Sequence, residues 1–242
     1  MALSNIVIVL YQPQDVRNIG AVVRAMKNTG LNRLRLVHPV PFDPADIGGI
    51  AHRSEDVLAQ LGVFATLDAA LADCTHIVGS TARARAEHPA RADVRILAAE
   101  LRARASVGTV ALLFGSEGNG LDNAALDRCH ELVTLPINPG YNSLNLAQAA
   151  LLLCYEIWMA APPAPADAQP QLPAAAGQLE TLFEASEQAL HTIEFFKGSP
   201  VPTMRLLRQL AHRAALAPNE AALLAAIARE VQRFVERVRG MG

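Results

Sequence analysis

Leu112-Leu113-Phe114-Gly115-Ser116-Glu117-Gly118-Asn119-Gly120-Leu121, then Leu135-Pro136-Ile137, then Tyr141-Asn142-Ser143-Leu144-Asn145-Leu146-Ala147 are the stretches that decide how this chain folds. Each half begins as an apolar strand, passes into a loop of small and polar residues, and then enters a helix. Strand-to-helix loops of this kind present backbone N–H groups at helix N-termini and strand ends, where α/β proteins bind polar ligands. An α/β domain with a parallel sheet is therefore expected.

The rest of the chain agrees. Residues 5–10 are short, β-branched and continuously apolar, as in a strand buried on both faces. Ile19, Val22, Val23 and Met26 recur at helical spacing until Gly30 ends the run, and Asn18 is placed to cap that helix. Further strands are predicted at 34–37, 76–79, 109–114 and 131–135, with helices near 54–61, 67–73, 93–103 and 122–129. Alternation of this kind predicts a parallel sheet with helices on both faces. A last core helix runs from Leu144 to Ala161. Its Leu151, Leu152, Ile157 and Trp158 supply more apolar surface than one side of a small sheet requires, which suggests a homodimer.

Composition changes after Met159. The stretch from Ala160 to Gly177 is rich in Ala and Pro, has no basic residue, and reads as a semi-extended linker. It separates residues 1–160 from a helical extension at 178–242. Helices are predicted there over Leu179–Phe196, Thr203–Ala214 and Asn219–Val238, the last capped by Pro218-Asn219. Between Thr203 and Arg239 seven arginines face three glutamates, so this portion is locally basic.

The formal charge of the 242 residues is −2, which argues against a protein that coats nucleic acid through its overall field. Cys74, Cys129 and Cys154 are far apart with no CxxC pair, so they form neither a disulfide framework nor a zinc site and are expected as buried thiols. The histidines show no ligand spacing, and no metal is implied. No secretory signal is apparent, and Asn145, Gln148 and Glu156 interrupt the most apolar helix. A cytoplasmic protein without a membrane span is the simplest expectation.

Gly115, Gly118 and Gly120 do not form GxGxxG, and no Lys-Ser/Thr follows them, which disfavours a dinucleotide fold or a P-loop. The first crossover, Leu10 to Asn18, lacks the glycines a nicotinamide dehydrogenase would need there. Taken alone, the loop after Phe114 is more often a tight turn than a cofactor site. An isolated Arg24 on a helix is more often a solvated charge.

Together with Asn18-Ile19-Gly20-Ala21-Val22-Val23-Arg24-Ala25, the quoted loops resemble the three motifs of the SPOUT class of RNA methyltransferases. The likeness is strongest to the TrmH/SpoU branch over about residues 4–160. The C-terminal helices and Tyr141 are most similar to the TrmJ type, tRNA cytidine/uridine-32 2′-O-methyltransferases. The resemblance implies a C-terminal trefoil knot within the α/β domain, S-adenosylmethionine as cofactor, an RNA substrate (tRNA foremost) and a homodimer. Carried over by position, it implies that the adenosyl group meets Ser80, Thr81, Ala82, Gly115, Leu135, Ile137, Asn142, Ser143 and Leu144. It implies Arg24 as the catalytic arginine, with Asn18, Glu117, Ser143 and Asn145 completing the polar set. For Leu135 and Ile137 the plain reading is strand-end packing, which is compatible with cofactor contact, and for Asn145 helix capping alone is an equal reading. An rRNA or another tRNA position remains an alternative substrate, and a non-catalytic RNA-binding protein of this fold an alternative function. The C-terminal helices either grip RNA or only stabilise the core.

Overall fold

The computed structural model describes residues 2–82, 89–141, 143–160 and 172–239. Asn142 and most of the Ala/Pro-rich stretch lie outside the described residues. The chain divides into two compact units, residues 1–170 and 171–242, each with a hydrophobic core.

In the first unit, β1 (Ile6–Tyr11) is buried over five consecutive residues and β6 (Thr109–Phe114) over its last five. Unbroken burial means that both faces are covered, as the apolar runs predicted. With β2 (Arg33–Val37), β3 (Gly62–Phe64), β4 (Cys74–Ser80), β5 (Ala90–Arg91) and β7 (Glu131–Val133) they form one sheet, in the order β3-β2-β1-β6-β4-β7-β5. Every pairing is parallel. The two strands absent from the sequence reading, β3 and β5, are three and two residues long and sit at the sheet's edges. Segments that short carry no periodicity.

The first helix corrects one expectation. Asn18 does not cap it. Helix α1 (Val16–Asn28) is capped by Asp15, whose carboxylate accepts from the Arg17 N–H, and Asn18 lies in the helix's first turn with its side chain free for other partners. Helix α2 (Pro44–Ile50), unforeseen because of Gly48-Gly49, starts from an Asp43 cap with Pro44 in its first turn. It packs closely on α1: a Cβ at Gly20 would lie 2.8 Å from Ile50 Cβ. Short helices α3 (Glu55–Leu58), α4 (Leu67–Leu71) and α6 (Asn123–Leu126) fill connections, and α5 (Val94–Ala105) packs against β6 and α7 (Leu146–Met159). Arg102 on α5 donates to the carbonyls of Ile157, Trp158 and Ala160, placing a cation at the negative end of α7. Along α7, Leu151, Leu152, Tyr155, Trp158 and Met159 are exposed, whereas Ile157 is not part of that surface but is buried in the unit's own core.

The three cysteines are buried thiols, and burial pushes each up to about 12. No helix among the described residues is long and apolar enough to cross a membrane.

The described residues of the second unit form three helices, α8 (Ala176–Thr192), α9 (Val201–Ala214) and α10 (Pro218–Arg239). Helix α8 begins earlier than its apolar pattern suggested and stops at Thr192, short of Phe196, because Glu194 turns the chain at φ +57°. The start of α10 is held by Glu220, whose carboxylate accepts from the Ala217 N–H, rather than by Pro218-Asn219.

Candidate active site

Parallel pairing brings the C-terminal ends of the strands to one edge. Leu10 lies beside Phe114, Gly79 beside Leu113, and Ser80 beside Val133. The loops after β1, β6, β4 and β7 are therefore neighbours although their sequences are dispersed. The chain leaves β1 towards β2 and β3 and then returns to β4 on the far side of β6, so these loops flank the point where strand order reverses.

One hydrogen-bonded chain links three of them. Glu117 Oε2 accepts from the Gln14 N–H at 2.8 Å, and Glu117 Oε1 accepts from Asn18 Nδ2 at 2.8 Å. Asn18 Oδ1 in turn accepts from Asn145 Nδ2 at 2.9 Å. Asn145 Oδ1 caps α7 by accepting from the Ala147 N–H at 2.8 Å, while Gln148 Oε1 accepts from the Asn145 N–H at 3.2 Å. Because the cap consumes the Asn145 oxygen, its amide nitrogen faces Asn18, and every later donor and acceptor in the chain is then determined.

The structure thus joins Asn18, Glu117 and Asn145. Arg24 and Ser143 are outside this network. Arg24 is six residues beyond Asn18 on α1, roughly 240° around the helix, and is exposed. It makes no hydrogen bond or ion pair with any described residue, so Glu117 orients Asn18 and not Arg24.

The β4 and β7 ends are stitched together as well. The Thr81 N–H donates to Val133 O at 2.9 Å, and Thr134 Oγ1 donates to Thr81 O at 2.9 Å. Ser80, Thr81, Leu135, Ile137 and Leu144 are half-buried around this edge, and Ala82 and Ser143 are exposed. Leu135 packs on the core, as its ordinary reading required.

Gly115 is glycine for a reason internal to the chain. A Cβ there would lie 2.0 Å from the Gly120 carbonyl carbon, because the loop folds back through a bridge between Ser116 and Gly120. The hairpin is fastened to β1 by Tyr11, whose hydroxyl donates to Asp122 at 3.2 Å; burial, with the Asp122 carboxylate, raises the phenol's pKa. Gln14, Tyr11 and Thr134 were missed by sequence reasoning. The Gln14 contribution is a backbone N–H, which no residue identity signals. Among the described residues no cluster of three or more His, Cys, Asp or Glu is arranged to hold a metal.

An open parallel sheet whose strand-end loops share a polar network where the strand order reverses is the arrangement of an α/β ligand-binding domain. The SpoU rRNA Methylase family matches residues 5–155, and the chain belongs to that family. It is similar to the tRNA (cytidine/uridine-2′-O-)-methyltransferase TrmJ of Cronobacter sakazakii, with 36% identity over 220 residues, 88% of this chain and 89% of that protein. The corresponding TrmJ of Salmonella choleraesuis is 35% identical over 236 residues, covering 95% and 97%. The crystal structure of TrmJ from Z. mobilis superposes with a TM-score of 0.81 at 33% identity, covering 93% of this chain and 98% of that one.

Proposed function

We propose that this protein methylates a ribose 2′-hydroxyl of tRNA from S-adenosylmethionine, with nucleotide 32 of the anticodon loop as its position. The observation that carries this reading is the Gln14–Glu117–Asn18–Asn145 chain, which gathers all three motif loops at one sheet edge. The TrmJ relatives, similar along most of the chain, support tRNA as the substrate.

The loops fit the cofactor. Half-buried Leu135 and Ile137 offer apolar contact for an adenine, and Ser80, Thr81, Gly115, Ser143 and Leu144 offer backbone and hydroxyl groups beside it. Bound S-adenosylmethionine supplies an electrophilic methyl group, so the protein's task is chiefly alignment. Asn18, Glu117 and Asn145 hold the motif loops in register. Arg24, exposed and without a partner among the described residues, is the group for the substrate: its guanidinium grips the phosphate next to the ribose and stabilises the alkoxide as charge develops. A guanidinium is no general base, so the hydroxyl proton passes to the phosphate or to water. The exposed face of α7 (Leu151, Leu152, Trp158) pairs two copies, and the arginines of α9 and α10 add phosphate contacts.

The test is incubation with labelled S-adenosylmethionine and a panel of unmodified tRNA and rRNA transcripts, followed by mapping of 2′-O-methyl positions. Label at ribose 32 of tRNA is expected. Label confined to rRNA or to another tRNA position would overturn the substrate assignment, and cofactor binding without label in any RNA would overturn the enzymatic one.

A further inference from the structure

Arg53, at the turn between α2 and α3, has a backbone that arginine seldom adopts: its φ is +58°, in the left-handed region that favours glycine. Ala51 and Ser54 are buried, so the turn is anchored around an exposed His52–Arg53 pair. The buried Ser54 Oγ has no hydrogen-bond partner among the described residues, and no side-chain cap holds α3. Bonds within the turn therefore do not offset the strain at Arg53. Strain of this kind collects where side chains are held against a ligand.

The turn runs beside Arg24. A Cβ at Gly20 would lie 2.8 Å from Ile50 Cβ, and Lys27 Nζ donates to Asp56 at 2.8 Å. Gly20, Arg24 and Lys27 lie within about 60° of one another on α1, and Gly20 and Lys27 are about 10 Å apart along its axis. These two contacts bracket Arg24 on α1, and they bracket Arg53 in the segment from Ile50 to Asp56. That segment is fastened to α1 at both ends and so passes alongside Arg24. The neighbouring cations of α1 are occupied, Arg17 by Asp15 at 2.6 Å and Lys27 by Asp56. Arg24 and Arg53 are exposed and make no hydrogen bond or ion pair with any described residue.

We infer that Arg53 is a second phosphate contact for the tRNA, beside the one made by Arg24. The inference rests on the reading of Arg24 as the group that grips the phosphate next to the target ribose. A guanidinium holds a phosphate with two parallel bonds. Two of them side by side hold neighbouring phosphates of one strand and fix its direction as well as its position. The phosphate at Arg53 does not react, so this contact is made equally in the ground and transition states. It lowers KM for tRNA and leaves kcat nearly unchanged.

Arg53→Gly tests this, because glycine removes the cation and relieves the left-handed backbone at once. Its melting temperature should equal or exceed the parent's. Binding of an unmodified tRNA transcript, read by fluorescence anisotropy between about 50 and 200 mM salt, should weaken about three- to tenfold, with the log–log salt slope reduced by about one. In a tritiated-methyl assay KM for tRNA should rise by the same factor, with kcat within about twofold and S-adenosylmethionine affinity unchanged. Arg53→Lys should keep the salt slope and recover part of the affinity. Parent-like affinity and slope in Arg53→Gly would overturn the contact. So would weaker binding with a lowered melting temperature, or a fall in kcat with KM unchanged. A parent protein that binds tRNA without transferring methyl would overturn the reading of Arg24 but not this contact, which the salt slope still decides. A parent that binds no tRNA would overturn both.

Discussion

Asn145 and Asn18 lie 127 residues apart and are joined by a 2.9 Å hydrogen bond whose direction is set by helix α7. The α7 cap takes the Asn145 oxygen, so its amide donates to Asn18, which in turn donates to Glu117. Asn145→Asp separates the two roles. Aspartate caps a helix as well as asparagine does, but it cannot donate. If the Asn18 amide flips to face the new carboxylate, its oxygen turns towards Glu117, so one bond is lost either way. The melting temperature should stay within about 2 °C while methyl transfer falls about tenfold or more. Thermal melts and a tritiated-methyl assay check this; full activity would remove the network from the mechanism.

Arg24→Ala should bind S-adenosylmethionine normally in calorimetry yet lose about 100-fold or more in turnover, the scale of deleting one charge-stabilising donor. Arg24→Lys should not recover it, because an ammonium lacks the planar fork that holds a phosphate with two bonds.

Gly115→Val is expected to destabilise the fold by about 3 kcal/mol or more, since any Cβ collides with the Gly120 backbone. It therefore does not probe cofactor binding cleanly. Ile137→Glu, at a half-buried loop position, should weaken S-adenosylmethionine about tenfold by placing a charge against the adenosyl group, with an unchanged melting temperature. Equal affinity in calorimetry would place the cofactor elsewhere.

Truncation after Ala160 leaves the first unit's core and the Arg102 contacts to α7 intact. The shortened protein should fold and bind S-adenosylmethionine, with tRNA affinity reduced about tenfold or more through lost phosphate contacts. Normal tRNA affinity with reduced thermal stability would make the C-terminal helices a stabilising cap instead.

Acid should destabilise the protein through a pair at the start of β4 and β7. His76 Nε2 lies 2.6 Å from Glu131 Oε1, and Arg91 donates to Glu131 Oε2 at 3.0 Å. Burial holds His76 below the usual imidazole range. For Glu131 burial acts upward, but the His76 and Arg91 contacts outweigh it and hold the carboxyl below its ordinary value. Both groups bind protons more readily when unfolded. The His76 contribution is present above pH about 6.5 and is lost as pH falls below it, whereas the Glu131 contribution is lost only below about 4.5. The urea midpoint should be lower at pH 5.5 than at 7.5, and the difference should shrink in His76→Gln. Equal midpoints in the parent would contradict this.

Local pattern alone determined a good part of this protein. Continuous apolar runs marked β1 and β6, because strands covered on both faces are apolar nearly throughout. Helical spacing marked α1, a long apolar stretch marked α7, and the loops after Phe114 and Leu135 read as a binding edge. Tertiary structure decided the rest. Asn18 looks like a cap because its neighbours are helical, yet Asp15 takes that place and Asn18 is freed for Glu117 and Asn145. Gly115 looks like a ligand-facing glycine, yet it is required by its own turn. Ile157 looks like its exposed neighbours on α7 and is buried. Periodicity reports how much water a residue sees relative to its near neighbours along the chain. It carries no information about which distant loop lies opposite, and that depends on the order of strands in the sheet, where β6 lies between β1 and β4.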